Sequence, residues 1–182
     1  MIRTALWLLA GLVLGGIIHI VVILSLPSLA TENLWTRVTA LGAAAQTVVI
    51  PAVTAGEPNP LRLDPELAYA ACEIDLRRGP GLVRGTLPLA FWSVAVYDPH
   101  GTVLYSTTNR DGIGTTLELG LFNAAQTRLL AEQQLDVAEG LLIVEAASDD
   151  LLVVVRLAPP HQAVRQRYEA ALSRLSCANL SG

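Results

Sequence analysis

Two cysteines, three histidines and a loop reading Asn109-Arg110-Asp111 hold most of the chemistry this sequence could perform. Cys72 and Cys177 could close a loop of about 105 residues, and in an oxidising compartment the chain-entropy model values such a crosslink at about 4–5 kcal/mol. Two separately buried thiols are the alternative reading. His19, His100 and His161 lie too far apart for a local metal-ligand pair. Two cysteines cannot build a structural zinc site on their own. No metal and no cofactor are expected. Gly-x-Ser-x-Gly, Walker A and Gly-x-Gly-x-x-Gly patterns are absent from the sequence. Asp98 with His100, or Asp111 beside Arg110, could serve acid–base work. Turn chemistry explains Asp98, His100 and Asp111 without any catalysis, and it is the preferred reading.

A second group is aromatic. Trp92, Tyr97, Tyr105, Asn109 and Arg110 gather around one expected hairpin. An aromatic and arginine-lined sheet face could bind a ligand or a protein partner, and it could also be plain core. Asn109 and Arg110 are the loop positions of interest, because contacts concentrate on loops held by a rigid scaffold. An enzyme would need a polar site assembled from distant positions such as Asp75, Asp98, Asn109 and Arg110.

These residues need a scaffold, and its first piece is a membrane segment. Residues 5–26 read ALWLLAGLVLGGIIHIVVILSL without a formal charge. As a helix that run is about 33 Å long, enough for the hydrocarbon of a bilayer. Arg3 precedes it, and no basic residue follows until Arg37. The positive-inside rule then places the N-terminus in the cytoplasm and the rest of the chain outside. Ser28-Leu29-Ala30 would also suit cleavage of a signal peptide after Ala30, but the apolar run exceeds the usual 7–15 residues of such a signal. Within the span, Gly11, Gly15 and His19 recur every four residues on one helical face. That face suits self-association or a partner helix.

Composition supports the same layout. Mean hydropathy is +0.48, which is high for a soluble domain. The net charge of −4 offers no basic footprint for nucleic acid. All twelve basic residues are arginine.

Beyond the anchor (1–29), residues 30–66 read as a short helix over 31–45 capped by Thr31 or Asn33, a strand over 47–53 and a Pro-punctuated connection. Leu34, Val38 and Leu41 form the helix's apolar stripe. Residues 67–182 read as an antiparallel, sandwich-like β domain with a C-terminal amphipathic helix, mainly β in class. Strands are expected over 69–76, 83–87, 91–97 and 103–107. Asp98-Pro99-His100-Gly101 supplies a tight turn, and Asn109-Arg110-Asp111-Gly112 supplies another. Asn123 should cap a helix through the amide of Gln126, with Leu129 and Leu130 facing inward. Residues 141–146 and 151–157 should form a hairpin, and LLVVVRL reads as a central strand covered on both faces. A final helix over 161–176 should carry Val164, Tyr168, Ala171, Leu172 and Leu175 inward. A bridge from Cys72 to Cys177 would pin that helix to the sheet.

The string Asp64-Pro65, Ala71-Cys72-Glu73-Ile74-Asp75-Leu76, Gly79-Pro80, Phe91-Trp92-Ser93-Val94-Ala95-Val96-Tyr97-Asp98, Gly101, Tyr105 and Asn109-Arg110 resembles the short, membrane-anchored members of the bacterial domain-of-unknown-function family numbered 1254. The likeness covers nearly the whole chain, including the leading helix and the late Cys177. Glu73 and Ile74 depart from the basic and aromatic residues of that pattern. The resemblance implies a β-rich domain of the Gram-negative envelope and no established activity. The expectation is therefore a non-enzymatic accessory, anchored in the inner membrane, whose periplasmic domain binds a partner or an envelope ligand.

Overall fold

The computed structural model describes residues 2–29, 34–44, 46–110, 114–132 and 140–180. It divides into two units, Met1–Asn33 and Leu34–Gly182. The proposed cap residues Thr31 and Asn33, the cleavage position Ala30, and Asp111 and Gly112 lie outside the described residues.

The first unit is one helix, α1 (Ile2–Leu29). Its 25-residue stretch Ile2–Leu26 is long and apolar enough to cross a membrane. Its large hydrophobic side chains up to Leu26 are exposed in the isolated chain. Ser25 Oγ donates to Val21 O at 2.7 Å, so its hydroxyl proton is used inside the helix.

The second unit is mainly β. After α2 (Leu34–Thr39) come β1 (Val48–Ile50), β2 (Ala68–Asp75), β3 (Gly81–Thr86), β4 (Trp92–Tyr97), β5 (Val103–Thr108) and β6 (Thr116–Asn123). Helix α3 (Ala124–Glu132), β7 (Leu142–Ala146), β8 (Asp150–Leu157), α4 (Arg165–Leu172) and β9 (Ser176–Asn179) complete it. One sheet has the order β1-β2-β8-β4-β5 and is antiparallel throughout. The other has the order β7-β6-β3-β9, with β6 and β7 parallel. Residues 34–66 belong to the same compact unit as the strands.

Strand alternation explains how the layers pack. Ala68, Ala70, Cys72 and Ile74 of β2 meet Leu117, Leu119 and Leu121 of β6 in a single core, which also takes in Trp92, Val94 and Val96. Strand β8 is apolar on both sides because both are covered. Leu151, Val153, Val155 and Leu157 enter that core, while Leu152 and Val154 join a second cluster with Val38, Ile50, Tyr69 and Ala71. The disulfide crosses between the sheets, joining Cys72 on β2 to Cys177 on β9 with a Cα–Cα distance of 6.5 Å. Gly81 sits where the sheets approach closely. A Cβ there would lie 2.7 Å from the Ile74 side chain and 3.3 Å from Leu121.

Several local expectations hold. Asn123 Oδ1 accepts the Gln126 amide at 3.0 Å, and Gln126 Oε1 accepts the Asn123 amide at 2.9 Å, a reciprocal cap. Asp98 Oδ1 accepts the amides of His100 and Thr102, and Gly101 takes φ +81° in the turn that follows β4.

Others are corrected. Residues 141–146 and 151–157 form no hairpin, since β7 pairs with β6 in one sheet and β8 lies in the other. The corner between them is tied down instead of turning back. Asp149 O accepts the Leu76 amide at 2.8 Å, and its carboxylate accepts from Asn123 Nδ2 at 2.9 Å. Helix α3 has no buried residue, and Leu129 is 54% exposed. Only Val38 of the α2 stripe is buried, with Leu34 and Leu41 exposed. The C-terminal helix is shorter than expected, because a 3-10 turn (Gln162–Val164) precedes it and Cys177 lies in strand β9. The disulfide therefore pins a strand, not the helix. Strand β6 is a further strand beyond those expected from sequence.

Candidate functional site

The expected aromatic group is divided between the two faces of the first sheet. Trp92 is 1% exposed and points into the inter-sheet core, and Tyr105, opposite Val96, packs against that same core. Tyr97 is on the other face, beside the second cluster. Asn109 is half-buried, donating from Nδ2 to Ala90 O at 3.3 Å, while Arg110 is exposed at the loop. The polar set Asp75, Asp98, Asn109 and Arg110 does not converge either. Asp75 and Asp98 lie at the Asp150 end of β8, and Asn109 and Arg110 at the Leu157 end. Six residues of β4 separate the two ends, roughly 17 Å of strand.

His100 and His161 are exposed, and among the described residues no three His, Cys, Asp or Glu side chains gather as a metal site. Gly11, Gly15 and His19 lie exposed along one face of α1, with no other group within 4 Å of a Cβ built at either glycine.

At the Asp150 end, charge is concentrated. Arg77 Nε donates to Asp75 Oδ1 at 2.7 Å, and its Nη2 pairs with Asp150. The Arg77 hydrogen bond is the main reason the Asp75 carboxyl is held below its ordinary range. Burial, followed by repulsion from Asp150 and Asp75, raises Glu73 above its ordinary value. These exposed ion pairs steady a strand end, and Asp75 caps the 3-10 turn at Leu76–Arg78.

The concave site is on the outer face of the first sheet. Its floor is Tyr69, Val154, Arg156 and Tyr97, and its wall is Val38 of α2 with the loop at 61–63. Register puts Arg156 between Tyr69 and Ser93, so a cation lies across a row of otherwise apolar or neutral neighbours. The volume is about 200 Å³. A neighbouring apolar hollow of about 230 Å³ shares Ile50, Leu61 and Leu63 as a common wall.

Hydrogen bonds within the chain hold the wall in place. Arg37 Nη1 donates to Pro60 O at 2.9 Å, tying α2 to the loop. Asn59 clasps the loop twice, accepting the Leu63 amide at 2.9 Å and donating to Leu63 O at 2.8 Å. Arg62 takes φ +50°, a left-handed conformation unusual for a side-chain-bearing residue. Tyr69 Oη accepts the Asp64 amide at 3.1 Å, which leaves its own proton free of that bond. Arg165 donates to Pro65 O and Leu67 O, each at 2.7 Å, and fixes the far end of the segment.

One atom in this site lacks a partner. Arg156 Nε is buried without a hydrogen bond. A buried donor left unmet costs about 1–3 kcal/mol, and such a group in a folded protein calls for an explanation. Of the floor and wall residues, only Tyr97 is among the site residues expected from sequence. Arg156 was legible as the single charge inside LLVVVRL, whereas Tyr69 and Arg62 carried no signal of their own.

No family model matches the chain, and no curated protein matches it. Among solved structures, the VPA0106 protein from Vibrio parahaemolyticus is 10% identical with a TM-score of 0.50, the match covering 64% of this chain and 28% of that one. An uncharacterized protein from Burkholderia cenocepacia is 16% identical with a TM-score of 0.42, covering 64% and 30% respectively. The chain thus spans less than a third of the length of either. The Vibrio likeness concerns the fold alone.

Proposed function

We propose that this chain is a membrane-anchored accessory of the bacterial cell envelope, whose β domain lies on the periplasmic side of the inner membrane and binds an envelope ligand or partner. The observation that carries the binding role is the preformed pocket around Arg156, walled by a loop that its own hydrogen bonds hold in place. Pockets with mostly apolar walls and a few placed polar groups are the usual form of a ligand site. The address draws on two further features. The apolar helix is long enough to span a bilayer, and a disulfide joins the two sheets, as expected of proteins folded in an oxidising compartment. The resemblance to the 1254 family points the same way.

The test is crosslinking in intact membranes. Tyr97 is replaced by a photoreactive phenylalanine derivative, with Leu89, which is 92% exposed, as the control position. A discrete adduct at Tyr97 and not at Leu89, identified by mass spectrometry, is the expected outcome. Identical, diffuse labelling at both positions would count against a binding role.

A further inference from the structure

We infer that the Arg156 pocket takes a small amphiphilic carboxylate, with the acid group on Arg156 and a single short acyl or aryl body against the apolar wall. This rests on the proposed binding role and names the chemistry of that site.

Three features select this ligand. The first is charge. Arg156 and Arg62 line the pocket, and among the described residues no carboxylate lines it with them. Arg156 contributes to the pocket floor, and a guanidinium offers a planar carboxylate a fork of N–H donors.

The second is polarity. Val38, Ile50, Leu61, Leu63 and Val154 provide a wall that offers side-chain contact without hydrogen bonds. A fully polar anion such as phosphate or sulfate would leave that wall unused.

The third is size. At about 200 Å³ the pocket is larger than the ~150 Å³ cavity that holds a benzene ring. It is smaller than the roughly 300–1,000 Å³ of sites that take drug-sized ligands or cofactors. A single chain or ring fits, and a nucleotide or a two-chain lipid does not.

The experiment uses the full chain in nanodiscs of zwitterionic lipid, with empty nanodiscs as reference. Octanoate labelled with ¹³C at the carboxyl is titrated and its bound resonance is read by NMR. Octan-1-ol, matched in chain length but uncharged, is titrated in parallel as its competitor. Saturable octanoate binding above the reference is expected, with octanol weaker by at least tenfold. Arg156→Gln should weaken octanoate at least tenfold and leave octanol unchanged. Val154→Trp, which fills the pocket while keeping the arginine, should abolish octanoate binding and guards against a misfolded Arg156 variant. Equal affinity for acid and alcohol, unchanged binding in Val154→Trp, or no saturable binding above empty nanodiscs would each overturn the assignment. Failure of the ligand and failure of the address remain separable. A domain shown outside the cytoplasm by a C-terminal reporter yet blind to octanoate sinks only the ligand, and a cytoplasmic domain that binds it sinks only the address.

Discussion

The two faces of strand β8 are built to different ends. Leu151, Val153, Val155 and Leu157 are almost fully buried between the sheets, against side chains from nearly every other strand. One residue over, Leu152, Val154 and Arg156 face a cover made from α2 and the loop before β2. Two buried side-chain atoms lack a partner among the described residues, Asn109 Oδ1 opposite Trp92 and Arg156 Nε on the outer face. The outer face keeps a hollow and a buried cation donor without a partner. Proteins tolerate such local inconsistency mainly where a site is being held ready. The inner face accounts for stability, and the outer face is the one we propose for recognition.

That division can be broken by substitution. Trp92→Ala should cost about 3–5 kcal/mol, as large-to-small changes in a closed core do. Tyr97→Ala, a half-buried aromatic on the outer face of the same strand, should cost much less. Denaturant titration of the two variants measures the contrast, and equal losses would erase the distinction between the faces. Replacing both Cys72 and Cys177 by Ala should lower stability by about 2–4 kcal/mol, because the bridge closes a long loop in the unfolded chain and links the sheets.

On the outer face the sign should reverse. Arg156→Leu removes an unmet buried donor, so stability should hold or rise by about 1 kcal/mol while carboxylate binding is lost. A large loss of stability would make Arg156 a structural residue.

The smallest effect concerns pH. The fold favours protonated Glu73, since burial and the nearby Asp150 and Asp75 raise its value. Its stabilising contribution is therefore present below the ordinary glutamate range and is lost as pH rises through the raised folded value. Glu73→Gln should make the protein more stable at neutral pH and flatten that fall, as read by melting midpoints between pH 4 and 7. A steeper fall in the variant would reverse the assignment.

Much of the scaffold was legible locally. The two-sided apolar run of β8 announced a central strand, Asn123 announced its cap, and Asp98-Pro99-His100-Gly101 announced its turn. Gly79-Pro80 belongs with these, because Gly79 takes φ +124° and a Cβ there would lie 2.6 Å from Leu180 O. What escaped was non-local. The alternation of Leu117, Leu119 and Leu121 was present in the sequence, but Gly120 and the polar residues around it hid the strand. Strand β9 (Ser176–Asn179) is four residues with no β-branched side chain, so only its pairing with β3 makes it a strand. The switch of sheets at Asp149 depends on partners up to 73 positions away, at Leu76, and no local pattern encodes it. The pocket is less legible still, since Val38, Tyr69, Tyr97 and Arg156 meet only after three strands have paired.

A domain that folds in an oxidising compartment keeps Cys72 and Cys177 paired in the cell. Trapping thiols in intact cells tests it most directly. Cells are quenched in acid, the denatured chain is treated with a mass-tagged maleimide before and after reduction, and the tags are counted on a gel. No tag before reduction and two after it is the predicted result. Two tags without reduction would contradict both the bridge and the compartment inferred from it.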